Sequence, residues 1–297
     1  MTEKKRNLIW IPVLFVPLWS TGFIGAKFGL PYAEPFTLLS IRMYITLVAF
    51  LLLIYLNRAH WPNPSGALHS LVVGVLVHTS YLGGVFAAIS AGMSAGLASL
   101  LVGLQPILTA LFAWGWMDER VSHRQKAGLA IGLIGVAMVL ILGKPGQGTV
   151  VYTPQTLGYT SIALLGITLG TLYQKRFCAR VNLLTGTFYQ YLATAIVMTS
   201  LAFLFETRQV QWEPPFVFAL LWLVLGLSVG AILLLMRMIR EGEAAKVASY
   251  FYLTPPVTAI MAWILFGEVL TPWAIGGILV TATGVYLVVK KNAADES

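Results

Sequence analysis

The chain has 297 residues, 58% of them hydrophobic and 10% charged, with a net charge of +8. Soluble globular proteins carry roughly a quarter charged residues, so a soluble enzyme, a disordered chain and a nucleic-acid reader are excluded. Mean hydropathy is +0.82, and the single cysteine, Cys178, excludes an internal disulfide framework and a cysteine-rich metal cluster.

A membrane helix needs about 20 mainly apolar residues to cross about 30 Å of hydrocarbon. On that criterion ten spans are predicted, at 8–29, 35–57, 67–90, 93–116, 124–142, 156–176, 184–204, 216–238, 244–266 and 272–289. The linkers are short, the longest near 143–155 and 205–215, and none has room for an extramembrane domain. Lys4-Lys5-Arg6 ahead of the first apolar run has the look of a signal peptide. The run is long, however, and a second span follows almost at once, so it reads as a retained helix. The expected fold class is an all-α polytopic membrane protein.

Basic residues orient such a bundle. With a cytoplasmic N-terminus, the inner segments carry 15 of them: Lys4, Lys5, Arg6, Arg58, Arg120, Arg124, Lys126, Lys175, Arg176, Arg180, Arg237, Arg240, Lys246, Lys290 and Lys291. The outer segments carry 2, Lys144 and Arg208, and Lys27 and Arg42 fall inside spans. Both termini are therefore expected in the cytoplasm. The positive loops face anionic membrane lipid and serve as topology signals, not as a nucleic-acid surface.

The chain also repeats itself at an offset of 149 residues, most clearly between 95–139 and 244–288. Pro106 matches Pro255, Thr109 Thr258, Ala110 Ala259, Trp114 Trp263, Glu119 Glu268, Gly128 Gly277, and Gly135-Val136 Gly284-Val285. A unit of five helices is odd, so the second copy enters the membrane the other way up. The expected organisation is two inverted five-helix repeats, 1–148 and 149–297. Inverted repeats are an architecture of secondary transporters, with the substrate site near the midplane. Small-xxx-small pairs, among them Gly128/Gly132 and Gly166/Gly170, allow close helix approach.

The residues that carry the repeat resemble a known family. Gln105-Pro106-Ile107-Leu108-Thr109-Ala110, Glu119-Arg120-Val121-Ser122, Gln125, Gly128 and Gly135-Val136 resemble the EamA repeat of the drug/metabolite transporter superfamily. Pro255, Thr258, Glu268, Gly277 and Gly284 resemble its second copy. Trp19-Ser20 with Phe23 and Lys27 is similar to the pattern of the family's first helix, and Arg42 to an arginine early in its second. The resemblance implies a ten-helix metabolite exporter with a central cavity, most similar to bacterial aromatic amino acid exporters. The small multidrug-resistance branch has a membrane-embedded glutamate in its first helix; this chain has none there.

Of the 11 acidic residues, none lies deep in a predicted span. A buried carboxylate is the usual counter-ion for a cationic substrate and a usual proton carrier, so both roles lack a candidate. Arg42 lies about 10 Å along its helix from Pro35 at 1.5 Å per residue. It and Lys27 are candidate pathway cations, though either can snorkel. His78 sits near the centre of the third span, with Tyr81 on the same helical face. Trp19, Tyr173, Tyr250 and Tyr252 also lie inside spans, whereas Trp10, Trp61, Trp212 and Trp273 fit interfacial belts. Ser99 and Gln105 are further polar candidates, and Pro106 and Pro255 free backbone carbonyls where a helix gates or kinks. The expected substrate-binding set is Trp19, Arg42, His78, Tyr81, Ser99, Gln105, Tyr173, Tyr250 and Tyr252, with Lys27, Pro106 and Pro255 as gating residues.

The sequence holds no H-E-x-x-H and no phosphate-binding glycine loop, so no metal, cofactor or catalytic role is expected. The expected function is export of a small amphipathic metabolite, an apolar or aromatic amino acid foremost, across a bacterial inner membrane by downhill alternating access. Proton-coupled drug/metabolite antiport is the alternative, and a membrane-embedded enzyme acting on lipid-borne substrates a more distant one. No pattern sets the oligomeric state, and a monomer is compatible.

Overall fold

The computed structural model describes residues 3–117, 123–139, 153–234, 253–268 and 271–289. Among them every regular element is helical, and the strand-like feature is one isolated bridge between Ala33 and Val210. In chain order the helices are α1 (Glu3–Gly29), α2 (Pro35–Asn57), α3 (Pro64–Ser90), α4 (Ala95–Val102), α5 (Gln105–Met117), α6 (His123–Ala137), α7 (Pro154–Phe177), α8 (Leu183–Phe205), α9 (Pro214–Leu234), α10 (Thr254–Phe266) and α11 (Pro272–Val289). Among the described residues, five helices are long and apolar enough to cross a membrane: α2, α3, α7, α8 and α9. They coincide with the second, third, sixth, seventh and eighth predicted spans. The apolar run expected to form one span over 93–116 is instead interrupted at Gly103–Leu104, between α4 and α5. Pro106 follows at once and has no N–H to continue the ladder.

Helix starts follow local chemistry. Proline opens α2, α3, α7 and α9, where a missing N–H costs nothing. Asn63, Ser94 and Asn182 accept hydrogen bonds from first-turn N–H groups of α3, α4 and α8, and Thr153 with Thr156 closes a capping box on α7.

The described contacts divide the chain into two compact units, each drawing on both halves of the sequence. The first comprises Gly22–Met93 and Tyr152–Ile232. In it α2 lies antiparallel to α8. Ser40 Oγ meets Thr199 Oγ1 at 2.7 Å, the Phe50 and Tyr191 rings sit 5.4 Å apart, and Thr185 Oγ1 donates to the His60 carbonyl at 3.0 Å. One end is closed by a reciprocal clasp. The Glu206 carboxylate accepts from Phe36 N, Thr37 N and Thr37 Oγ1, each at 2.7 Å. Glu34 accepts from Thr207 N, Thr207 Oγ1 and Arg208 N at 2.7 to 3.0 Å. The first carboxylate thus satisfies orphan N–H groups at the positive end of α2.

Helix α3 packs against α7 and α8 through glycines. A Cβ at Gly74 would strike the Gln190 backbone, and one at Gly84 would meet the Tyr159 carbonyl at 2.5 Å. The middle of α3, Gly74–Ser80, is wound as a π-helix, with Ser80 Oγ donating to the Val75 carbonyl five residues back. Trp222–Ala231 in α9 is π-wound too. It contains the positions 149 residues after Gly74–Ser80, so the same irregularity recurs at the same place in the repeat.

The second unit comprises Met1–Thr21, Ser94–Val151 and Leu233–Ser297. Its main contact is α6 against α11, again antiparallel. A Cβ on Gly135 would collide with the Thr281 N and the Gly277 carbonyl, and one on Gly284 with the Gly132 backbone and the Gly128 carbonyl. The glycines matched by the repeat, Gly128 with Gly277 and Gly135 with Gly284, therefore meet at one helix crossing. Helix α4 packs on α10, where a Cβ on Gly103 would lie 2.8 Å from Pro255 Cγ. Glu268 caps α4, accepting from Ala95 N at 3.1 Å and Gly96 N at 3.4 Å.

The backbone contact at Gly135 cannot relax by rotating a side chain. Gly135→Ala is expected to destabilise the purified protein by about 1–3 kcal/mol through overpacking. Gly158→Ala meets open space and should leave stability level or raise it by up to about 1 kcal/mol. Thermal unfolding of the two variants in one detergent, followed by intrinsic fluorescence, measures both.

Candidate functional site

Four helices of the first unit bring polar side chains into one buried cluster. Arg42 on α2 is 5% exposed. Its Nε donates to Ser228 Oγ at 3.1 Å, on the π-wound part of α9. The Tyr191 hydroxyl of α8 donates to the Ser228 carbonyl at 3.3 Å. The Tyr191 ring lies 4.6 Å from the imidazole of His78, on the π-wound part of α3. His78 Nε2 and Gln190 Oε1 are 3.1 Å apart, so Nε2 carries the proton and donates to the amide oxygen. Tyr81 and Tyr191 lie within electrostatic reach of the guanidinium. His78 and Ser228 each lie within a π-wound segment, where the helix takes an extra residue per turn.

The cluster leaves hydrogen-bonding capacity unused. A guanidinium has five N–H donors, and the bond to Ser228 is the one it makes among the described residues. Thr46, one turn along the same face of α2, is buried with its hydroxyl unpartnered, as is Thr79 beside His78. Helices α2, α3, α7, α8 and α9 contain no Asp or Glu. Burying a charge without a counter-charge is costly, so this arrangement is unlike a packing core.

Of the sequence candidates, Arg42, His78 and Tyr81 come together here. Tyr173 lies in the same unit but in a separate aromatic group, its hydroxyl 2.8 Å from His69 Nδ1 and its ring 4.5 Å from Phe177. Close by, partial burial pushes the Cys178 thiol up, against a smaller opposing effect of its hydrogen bond with Ser70. Lys27 is half-buried in the last turn of α1. The others belong to the second unit. Trp19 packs on Phe15 with ring centroids 5.4 Å apart. Ser99 is buried and its hydroxyl donates to the Gly96 carbonyl at 2.8 Å, within its own helix. Gln105 opens α5, with Pro106 beside it, and Pro255 is buried in the first turn of α10. Tyr250 and Tyr252 lie outside the described residues, as does Glu119.

Gln190, Tyr191 and Ser228 were not singled out from sequence. The repeat held a signal for two of them: Tyr191 lies 149 residues after Arg42, and Ser228 lies 149 after Thr79.

A profile of the EamA-like transporter family matches residues 7–141 and again 156–290. The two matches begin 149 residues apart, the offset at which the π-turns, the matched glycines and the Arg42/Tyr191 pair recur. The chain belongs to the EamA-like transporter family. It is 28% identical over 297 residues to the transporter YvbV of Bacillus subtilis, covering 99% of this chain and 95% of that one. It is 25% identical over 292 residues to a protein of Salmonella typhimurium named "Probable amino-acid metabolite efflux pump", covering 94% and 93%. The inner membrane transporter YedA of Escherichia coli is 25% identical over 271 residues, covering 89% and 85%. A crystal structure aligns with a TM-score of 0.66 at 20% identity, over 95% of this chain and 96% of that one, and shares its fold. An EamA member is an integral membrane transporter, and the names of these relatives describe transport, not catalysis.

Ser228→Ala removes the one protein acceptor described for Arg42. Hydrogen bonds to charged groups are worth about 1.5–3 kcal/mol, so the variant should unfold at lower temperature than wild type. Ser228→Thr, which keeps the hydroxyl, should recover most of the loss. Melting curves of the three proteins, recorded without substrate, check this.

Proposed function

We propose that this EamA member exports small amphipathic metabolites, apolar and aromatic amino acids foremost, across a bacterial inner membrane. Its working form is a ten-helix bundle of two inverted repeats, 1–148 and 149–297, with both termini cytoplasmic. Transport is downhill, by alternating access. The observation that carries the reading is the buried Arg42–Ser228–Tyr191–His78–Gln190 cluster within helices that hold no acid. A polar, hydrogen-bonding centre inside an apolar bundle is what a substrate with one polar and one apolar end requires. The antiparallel packing of α2 on α8 and of α6 on α11 supports inversion, because each pair joins matching positions of the two repeats. The substrate-lining set is Arg42, His78 and Tyr81, joined by Tyr191, Gln190 and Ser228. Trp19, Ser99, Gln105, Tyr173, Tyr250 and Tyr252 remain candidates, with Lys27, Pro106 and Pro255 as gating positions. The efflux-pump name of the Salmonella relative supports the amino-acid class.

Purified protein in liposomes should take up labelled phenylalanine or leucine down a gradient and should handle quaternary ammonium compounds poorly, since α2, α3, α7, α8 and α9 hold no acid to receive a cation. An imposed pH gradient should not drive accumulation, and His78→Gln should keep downhill uptake, an amide replacing the neutral ring's donor and acceptor. Accumulation that follows the pH gradient in wild type and disappears in His78→Gln returns the chain to the proton-coupled class.

Topology is tested separately. In a Cys178→Ser background, a cysteine placed at Glu268 should react with an impermeant maleimide added outside the cell membrane. Reaction from the cytoplasmic side alone would sink the inverted arrangement.

A further inference from the structure

Among the described residues four buried hydroxyls have no hydrogen-bond partner, and two of them, Thr46 and Thr79, border the Arg42 cluster. A threonine inside a helix has an acceptor within reach, the carbonyl four residues back, and Thr160, Thr168 and Thr194 each use it. Thr46 and Thr79 do not. Thr46 is wholly buried and Thr79 is 8% exposed. Buried polar atoms are seldom left unpaired in folded proteins, and each one calls for an explanation.

Both hydroxyls belong to faces that turn toward the cluster. Arg42, Thr46 and Phe50 follow one another at single helical turns along one face of α2. The guanidinium reaches Ser228, and the Phe50 ring meets the Tyr191 ring at 5.4 Å. Tyr191 itself bonds Ser228, so Thr46 stands between two residues anchored at the same place. Thr79 follows His78 and comes one turn before Gly83. A Cβ on Gly83 would lie 2.8 Å from Met198 Cε of α8 and 3.9 Å from Phe36 Cε1 of α2, so this face of α3 turns toward α2 and α8.

The cluster has donors in surplus and acceptors in short supply. One of the five guanidinium N–H groups is spent on Ser228, and the rest suffice for both oxygens of a carboxylate. Helices α2, α3, α7, α8 and α9 hold no Asp or Glu. A positively charged group seated beside that carboxylate therefore has only neutral oxygens of these helices to meet. Each threonine hydroxyl carries two lone pairs, and those of Thr46 and Thr79 are unengaged.

We infer, resting on the transporter reading of this site, that Thr46 and Thr79 are specificity-determining residues whose hydroxyl oxygens receive the α-ammonium of an amino acid held by its carboxylate on Arg42. The site thereby separates amino acids from carboxylic acids of the same skeleton that lack the amino group. The hydroxyls stay unpaired within the protein because their partner arrives with the substrate. They weaken the substrate-free fold slightly and complete the site when it is filled.

The test uses the full-length protein in detergent, with radiolabelled phenylalanine and leucine as probes. Wild type should bind each amino acid about tenfold or more tightly than its analogue without the amino group, 3-phenylpropionate or 4-methylpentanoate, the scale of one hydrogen bond to a charged group. Thr46→Val keeps the side-chain shape and removes the hydroxyl. It should weaken amino-acid binding several-fold and leave the analogues unchanged, and in the Thr46→Val/Thr79→Val pair the preference should vanish. Thr46→Ser should keep it. Without ligand, Thr46→Val should melt no lower than wild type, since the group removed was unpaired.

Equal binding of amino acid and analogue by wild type, or no binding of either amino acid, overturns the assignment. So does a preference that survives in the folded double variant, an equal loss for both kinds of ligand, or a lower melting temperature in Thr46→Val. If the double variant does not fold, the rankings on wild type and on the single variants decide. Flux in liposomes separates the two readings. A threonine-dependent preference with no flux of any ligand refutes transport and leaves the ammonium contacts standing. Flux of phenylalanine with 3-phenylpropionate as an equal competitor does the reverse.

Discussion

A guanidinium buried among apolar helices sets the terms for the rest of this structure. Hydrocarbon offers no water to satisfy polar groups, so each must find a partner inside the protein. Arg42 finds one in Ser228, and the chain bends its regular geometry to supply it. The π-wound segments of α3 and α9 are the places where helix periodicity is given up. They carry His78 and Ser228. Glycine does the complementary work. Gly74 and Gly84 bring α3 close to α8 and α7, so that Gln190 and Tyr191 reach the same centre. Close backbone packing and a polar centre are two sides of one arrangement.

The repeat explains why these parts recur. Duplication at an offset of 149 residues places the π-turn of α9 where the π-turn of α3 stands in the first copy. It also puts Tyr191 at the position of Arg42 and Ser228 at that of Thr79. The copies have diverged where chemistry is concerned: an arginine faces a tyrosine across the repeat, and an unpartnered hydroxyl faces a bonded one. They have kept what packing requires. At the α6/α11 crossing the equivalent glycines of both copies are retained, because backbone atoms occupy the space a Cβ would fill. One scaffold thus holds a symmetric frame and an asymmetric site.

How much of this could be read from sequence depends on contrast. The spans now seen as α2, α3, α7, α8 and α9 stand out because a long apolar run between polar turns has one cheap solution in a membrane. The interruption at Gly103–Leu104 stands out less: Gln105 and Pro106 mark a kink there, but apolar residues on both sides keep the run long enough to be read as one span. Arg42, His78 and Tyr81 were legible as polar groups in apolar company. Ser228 and Gln190 were not. Hydroxyl residues are common in these helices, and many, such as Thr160, Thr168 and Ser200, bond their own backbone four residues back. Nothing local distinguishes Ser228 from them; its partner is 186 residues away. Tyr173 and Ser99 show the converse. They lie within apolar spans, yet one bonds a nearby histidine and the other its own helix.

The clasp between Glu34 and Glu206 has a mechanical consequence. Each carboxylate belongs to one helix end and accepts from the other, two backbone N–H groups and one threonine hydroxyl in each direction. The two helix ends cannot part gradually, since a small separation loses both sets together and strands two carboxylates facing each other. The adjoining turn is tied down too, with Gln211 N donating to the Tyr32 carbonyl. The joined ends of α2 and α8 therefore behave as a rivet. Any bending that lets a molecule pass must be taken up away from this joint. The π-wound segments lie on α3 and α9, the helices packed against the clasped pair. The rivet holds α2 and α8 as one stiff bar and leaves the flexing to those two neighbours, at the level of the buried arginine.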